Sequence, residues 1–309
     1  MRTSRKTIRP SWRKLLAKEK FLQLPAAHDA LTAKIIESAG FKAYQVGGFA
    51  LDGARFALPD IDLTHLGEKS EAVREIMAAC DLPVLVDCDD GYGDVKNVTY
   101  TIGLYEDMGV SAVFIEDQQA PKRCGHMARK RVIEAKEMAI KVRAAVAARE
   151  SKDTIFVIAR TDAIETDGLD EALRRAELYL ESGADAIYVE AAESVQQLEL
   201  IAREFHGAPL VANILEGGGE TPWVPPERLR RMGFCMVLYP TTVLFQMTRS
   251  IQEALKQLRQ GRPMSKEGSV NMKEFERIVG LPGWAVIENR FNATKVIGFV
   301  QELWKKMVA

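Results

Sequence analysis

Glu181-Ser182-Gly183-Ala184-Asp185-Ala186 closes an amphipathic stretch on a glycine and leads straight into an apolar one, and Glu37-Ser38-Ala39-Gly40-Phe41-Lys42-Ala43 does the same. Glycine just past a helical pattern provides the left-handed stop that ends a helix. Several of the short runs that follow such stops are apolar throughout rather than alternating, as expected of strands covered on both faces. Outward from these two junctions, strands are predicted over Leu22–Ala27, Ala43–Gly47, Pro83–Asp87, Ala112–Glu116, Ile155–Arg160, Ala186–Glu190, Pro209–Asn213 and Cys235–Tyr239. Between them lie helical patterns over Ala30–Ala39, Glu71–Ala79, Val95–Met108, Ile133–Arg149, Leu169–Glu181, Val195–Phe205 and Pro226–Met232. Repeated strand–helix units of this kind predict an α/β fold of the (β/α)₈ TIM-barrel type. A doubly wound sheet would open on a G-x-G-x-x-G turn. The first turn here is Ala26-Ala27-His28-Asp29, and Gly47-Gly48 and Gly217-Gly218-Gly219 lack that spacing.

Three segments result: an N-terminal helical segment over residues 1–20, a barrel over 21–261 and a C-terminal helical extension over 262–309. The last barrel helix, Thr242–Gln260, stops at Gly261-Arg262-Pro263, and the extension adds Met272–Val279 and a helix from Trp284 onward. Trp284, Phe291, Phe299 and Trp304 need burial, which a barrel surface or a neighbouring subunit would supply.

The 309 residues are 47% hydrophobic and 28% charged, enough for a large core and unlike a disordered chain. Forty-two Lys and Arg against 43 Asp and Glu predict neither a nucleic-acid surface nor a polybasic membrane patch. No apolar run approaches the roughly 18 residues of a membrane span. Four cysteines (Cys80, Cys88, Cys124, Cys235) make no disulfide framework in so long a chain and read as reduced thiols of a cytoplasmic protein. The basic N-terminus, without an acid until Glu19, reads as a solvated helix capped by Ser11; a mitochondrial transit peptide is the other reading.

Catalytic groups of such barrels lie at the C-terminal strand ends. Here these are His28-Asp29, Tyr44 to Gly48, Asp87-Cys88-Asp89-Asp90, Glu116-Asp117-Gln118, Arg160-Thr161-Asp162, Glu190, Asn213 with Glu216, and Tyr239-Pro240. Carboxylates so close raise one another's proton affinity unless a cation neutralises them. Hard oxygen donors without a histidine pair suit Mg²⁺ or Mn²⁺, with Asp87, Asp89 and Glu116 as the candidate ligands. Cys124 lies in the polar loop Lys122-Arg123-Cys124-Gly125-His126, where flanking cations tune a thiol toward proton transfer or nucleophilic attack. The local sequence leaves both roles open.

Together, Leu24-Pro25-Ala26-Ala27-His28-Asp29-Ala30-Leu31-Thr32-Ala33, Val86-Asp87-Cys88-Asp89-Asp90-Gly91-Tyr92-Gly93, Ile115-Glu116-Asp117-Gln118 and Lys122-Arg123-Cys124-Gly125-His126 resemble the isocitrate lyase/phosphoenolpyruvate mutase superfamily. Ala159-Arg160-Thr161-Asp162-Ala163 and Tyr239-Pro240 extend the match, which covers roughly residues 12–260. The resemblance implies a helix-swapped barrel, Mg²⁺ dependence, a small carboxylic acid substrate and a homodimer or homotetramer. Members with the cysteine loop are mostly carbon–carbon lyases acting on 2-methylisocitrate or 2,3-dimethylmalate-like acids. Oxaloacetate hydrolases and carboxyphosphonoenolpyruvate mutase share the loop, so hydrolysis or decarboxylation of oxaloacetate and a mutase reaction are the rival outcomes; a non-catalytic barrel is the remote one.

On that resemblance, Cys124 donates a proton with Lys122 and His126 tuning it. Arg160, Gly47 and Gly48 hold the substrate carboxylate. Glu190, Asn213 and Pro240 meet the second fragment, and Tyr44 orients the hydroxyl. The departure is the second strand end, where Gly47-Gly48-Phe49-Ala50 lacks the hydroxyl residue usual in the lyases.

Overall fold

The computed structural model describes residues 9–308, with the side chains of 293–303, 305, 306 and 308 outside the described set. Phe299 and residues 1–8 of the basic N-terminus therefore lie outside it. Eight parallel strands are present: β1 (Leu22–Pro25), β2 (Tyr44–Val46), β3 (Val84–Asp87), β4 (Ala112–Glu116), β5 (Phe156–Thr161), β6 (Ala186–Val189), β7 (Leu210–Asn213) and β8 (Met236–Tyr239). They pair in the order β1-β8-β7-β6-β5-β4-β3-β2. The remaining gap, between β1 and β2, is spanned by the parallel bridge Ala26–Gln45, with the Ala27 amide donating to Gln45 O at 2.8 Å. The ring is the expected (β/α)₈ barrel.

The helices are α1 (Trp12–Glu19), α2 (Ala30–Ser38), α3 (Gly48–Leu51, continued by a π-turn over Asp52–Phe56), α4 (Leu66–Ala79), α5 (Val95–Met108), α6 (Ala135–Ala148), α7 (Ala163–Asp167), α8 (Leu169–Glu181), α9 (Val195–Glu204), α10 (Pro226–Met232), α11 (Thr242–Arg259), α12 (Met272–Ile278) and α13 (Leu281–Val308). α4 starts earlier than its pattern suggests. Gly67 hides the first turn, which is closed when the His65 amide donates to Glu68 Oε2 at 3.2 Å.

Side chains alternate about each strand. One phase, including Leu22, Leu24, Leu85, Phe114, Phe156, Ile158, Tyr188, Val211, Met236 and Leu238, fills the barrel interior. The other, including Val46, Val84, Val86, Val113, Ile115, Val157 and Ile187, packs under the helices. Trp12 and Leu15 of α1 belong to the interior cluster, and Trp12 Nε1 donates to Met236 Sδ at 3.4 Å. Against expectation, then, α1 is no solvated helix: its apolar face plugs one end of the barrel. Nor does the Ser11 side chain make the predicted capping bond.

The chain divides into two compact units, one ending at Ser250 and the other beginning at Ile251. Among the described residues of the second unit none is buried, and Met272, Phe275, Trp284, Ile287, Phe291 and Trp304 all stand exposed. In the first unit, α2, β1 and the start of α11 border an apolar groove of about 680 Å³ lined by Leu31, Ile35, Ile36, Phe41, Trp223 and Met247 among others.

Candidate active site

The inward phase that builds the interior ends, at the strand C-termini, in polar residues. Gln45, Asp87, Glu116, Arg160, Glu190 and Asn213 all face one cavity, which Gly47, Gly48, Phe49, Asp60, Phe114, Lys122, Cys124, His126, Leu215 and Pro240 also line. The space it leaves for solvent is about 40 Å³, room for a few water molecules.

Of the residues expected at the site, Asp89 does not line this cavity, and neither does Tyr44. It is fully buried in the outer cluster with Val46, and the groups nearest it electrically are Cys80, Arg9 and Glu37. On a strand, one residue of phase moves a side chain to the other face. Gln45 is the β2 residue that points inward, its Nε2 donating to Leu24 O at 3.2 Å.

The acid cluster is held largely by the protein. Asp87 Oδ2 accepts the Gly48 amide at 3.0 Å and Oδ1 accepts the Asp89 amide at 2.9 Å. The Gly48 amide, expected to hold a substrate carboxylate, is thus donated to Asp87. Asp89 takes a left-handed backbone, φ 49°, a conformation that a non-glycine residue keeps only where its surroundings enforce it. Its Oδ2 accepts from Lys69, and its Oδ1 lies 2.5 Å from Lys122 Nζ. Lys122 also donates to Asp60. Burial alone would lower both lysines, but Asp89 and its neighbouring carboxylates hold them above the ordinary lysine range. Part of the neutralising charge that the sequence assigns to a metal is therefore lysine.

Burial, with Asp89 beside it, raises Asp87, and burial raises Glu116 well above the usual carboxylate range against the pull of Arg160. Burial also works against Asp89, yet Lys122 and Lys69 pull it below the usual range. Glu116 Oε1 accepts no hydrogen bond although it is buried. Among the described residues no three acidic, imidazole or thiol side chains form a metal cage. The donor set fits a hard ion that takes one or two carboxylates and completes its shell with water and substrate, the usual habit of Mg²⁺.

Arg160 sits at the centre of the opposite wall. It chelates Asp162 through two bonds of 2.8 Å, reaches Glu116 Oε2 at 3.1 Å and Glu190 Oε2 at 3.5 Å, and lies over the Tyr188 ring at 5.1 Å. Burial opposes ionisation of Glu190, but Arg160 and His126 draw it well below the ordinary range. The Glu220 amide donates to His126 Nδ1 at 3.1 Å, which leaves Nε2 as the donor to Glu190 Oε1 at 3.2 Å. Asn213 Nδ2 donates to both Glu190 oxygens, at 3.2 and 3.3 Å.

The cysteine loop is folded down over the cavity. Gln118 and Arg123 exchange bonds of 2.8 and 2.9 Å at its base, the Cys124 amide donates to Asp60 O at 3.1 Å, and Lys130 donates to Gly125 O. Cys124, expected on an exposed loop, is 8% exposed. Burial, reinforced by Asp60, pushes its thiol up to about 12. Lys122, expected to tune it, is turned to Asp60 and Asp89, so desolvation outweighs the flanking cations.

Asp60, Lys69 and Gln45 escaped the sequence reading. Asp60 is one acid of a loop, Lys69 looks like a solvated residue of an amphipathic helix, and Gln45 was displaced by the phase assigned to Tyr44.

The sequence profile described as phosphoenolpyruvate phosphomutase matches residues 12–259. The 2-methylisocitrate lyase of Halalkalibacterium halodurans is 40% identical over 241 residues, 78% of each chain. The 2,3-dimethylmalate lyase of Eubacterium barkeri is 34% identical over 281 residues, covering 90% of this chain and 96% of its own. Among solved structures, oxaloacetate acetylhydrolase in complex with 3,3-difluorooxalacetate superposes with a TM-score of 0.85 at 29% identity, over 91% of this chain and 95% of that one. A 2,3-dimethylmalate lyase gives 0.83 at 30% identity, over 90% and 93%. With its barrel, its acid cluster and its cysteine loop, the chain belongs to the phosphoenolpyruvate mutase/isocitrate lyase superfamily.

Proposed function

We propose that this carbon–carbon lyase cleaves an alkyl-substituted 2-hydroxy di- or tricarboxylate, of the 2,3-dimethylmalate or 2-methylisocitrate kind, into a 2-oxo acid and a second carboxylic acid. The observation that carries the reading is the buried Cys124 thiol lining the cavity that Asp87, Glu116 and Arg160 also line. Cleavage leaves a carbanion on the departing fragment, and a positioned acid must protonate it. A thiol pushed up to about 12 keeps its proton at neutral pH until a carbanion forms, which suits an acid better than a nucleophile. Arg160 faces the substrate carboxylate while Asp162 fixes its plane. With Tyr44 outside the cavity, removal of the hydroxyl proton falls to a carboxylate of the pocket wall. Phe49, Leu215, Leu238 and Pro240 give the cavity an apolar side where an alkyl substituent gains by burial. A divalent ion on Asp87 and Glu116 would supply Lewis-acid stabilisation of the alkoxide.

A second copy of the chain is the proposed partner. The exposed apolar residues of α12 and α13 and the apolar groove beside α2 are complementary in character, as helix exchange between subunits requires. The structural likeness to oxaloacetate acetylhydrolase supports hydrolysis of oxaloacetate as the second reading.

The test is a panel of isocitrate, 2-methylisocitrate, 2,3-dimethylmalate and oxaloacetate, assayed for 2-oxo acid, oxalate and acetate with Mg²⁺ and after EDTA. The alkyl-substituted acids should turn over best, plain isocitrate poorly, and EDTA should abolish activity until Mg²⁺ or Mn²⁺ is restored. Oxaloacetate turning over roughly tenfold better than every hydroxy acid would favour the hydrolase. Full activity without metal would remove the ion from the reading.

A further inference from the structure

Lys69 is a buried cation for which the proposed cleavage has no role. It projects from α4 into the floor of the acid cluster, where its side chain is 2% exposed. Its ammonium donates to Asp89 Oδ2 and lies 4.0 Å from Asp52 Oδ2. Asp52, itself 1% exposed on the π-turn after α3, is steadied by Thr64, whose hydroxyl donates at 2.6 Å. Gly48 leaves room for this arrangement: a Cβ there would stand 3.3 Å from Lys69 Nζ and 3.4 Å from both Asp87 Oδ2 and Asp89 Oδ1. With Lys122 against its other oxygen, Asp89 has a lysine on each side.

We infer that Lys69 is a resident cation of the metal cradle, one that keeps Asp89 occupied and repels a divalent ion, so that the substrate-free site binds Mg²⁺ or Mn²⁺ weakly. This rests on the metal reading given above. The physical ground is that a fixed ammonium and a dication a few ångströms apart repel strongly where little water screens them. An incoming ion must either displace Lys69 from Asp89 or do without that carboxylate. Lys69 touches neither the cavity nor a reacting group, and is in this sense a positioning residue.

The experiment is titration of the full-length, EDTA-treated protein with Mn²⁺ alone, followed by calorimetry and by the electron paramagnetic resonance of free Mn²⁺. Lys69→Gln, which keeps a hydrogen-bond donor for Asp89 without the charge, should bind Mn²⁺ roughly tenfold tighter or more than the wild type, and Lys69→Arg should bind as weakly as the wild type. If Lys69→Gln does not fold, the pair Lys69→Met with Asp52→Asn, which leaves no unpaired buried aspartate at position 52, carries the same expectation. A folded Lys69→Gln protein that binds Mn²⁺ no tighter than the wild type overturns the inference and leaves the metal reading intact. Failure of every form to bind Mn²⁺, with or without oxalate, overturns the metal reading and this inference with it.

Discussion

Gly125 shows how closely the cysteine loop approaches the barrel. A Cβ at this position would sit 2.2 Å from Arg160 Nη2 and 2.7 Å from Glu190 Cγ. Arg160 has little freedom to retreat, because Asp162 grips it in two places. Gly125→Ala should therefore hold the loop off the site and lower kcat/KM on the order of 10²-fold, the scale of a small misplacement of catalytic groups. Its melting temperature should stay near that of the wild type, since the strain is relieved by opening a loop; steady-state kinetics beside a thermal melt check this. Cys124→Ser tests the proton donor itself. A hydroxyl is the weaker acid, and kcat should fall on the order of 10²-fold or more. Wild-type turnover in that variant would reduce the thiol to a packing residue.

At the scale of the element, β2 separates what a sequence displays from what it conceals. Its existence was legible within Ala43 to Gly47, because the run is flanked by helix stops and glycine, although the strand itself is only Tyr44–Val46. Its phase was not: Tyr44-Gln45-Val46 are all buried, so no exposed residue marks which face is which. A tyrosine looks more chemical than a glutamine, yet Gln45 is the β2 side chain that lines the pocket. On β4 and β5 the phase was legible, because Glu116 and Arg160 are the charged residues of otherwise apolar strands. Asp60 and Lys69 come from the connection after α3 and from α4, where position in sequence says nothing about which way a chain turns in space. Tyr44→Phe should leave kcat and KM unchanged, whereas Gln45→Ala, which removes a cavity wall and its bond to Leu24 O, should raise KM several-fold, about 1 kcal/mol for one hydrogen bond. The reverse pattern in a kinetic comparison of the two would place the tyrosine back at the site.

For the whole molecule, the eight-unit pattern made the barrel legible from glycine stops and apolar strands, while the way the C-terminal extension is covered was not. Its Trp284, Phe291 and Trp304 declare a need for burial without naming the surface that meets it. The groove beside α2 offers one. Ile35, 44% exposed on that groove, is a suitable probe: Ile35→Asp puts a charge into the proposed contact between copies. The variant should shift the protein toward monomer in sedimentation velocity and lower its activity, and an unchanged oligomer would count against that face as the contact.

A barrel whose outer layer is completed by a neighbour does not have a melting point of its own. Folding and assembly then share one equilibrium, and the law of mass action enters the stability: each dilution lowers the apparent midpoint, and concentrating the sample raises it. If a second copy of the chain covers the groove of about 680 Å³, heat resistance becomes a property of how many copies are present, not only of how each one is built.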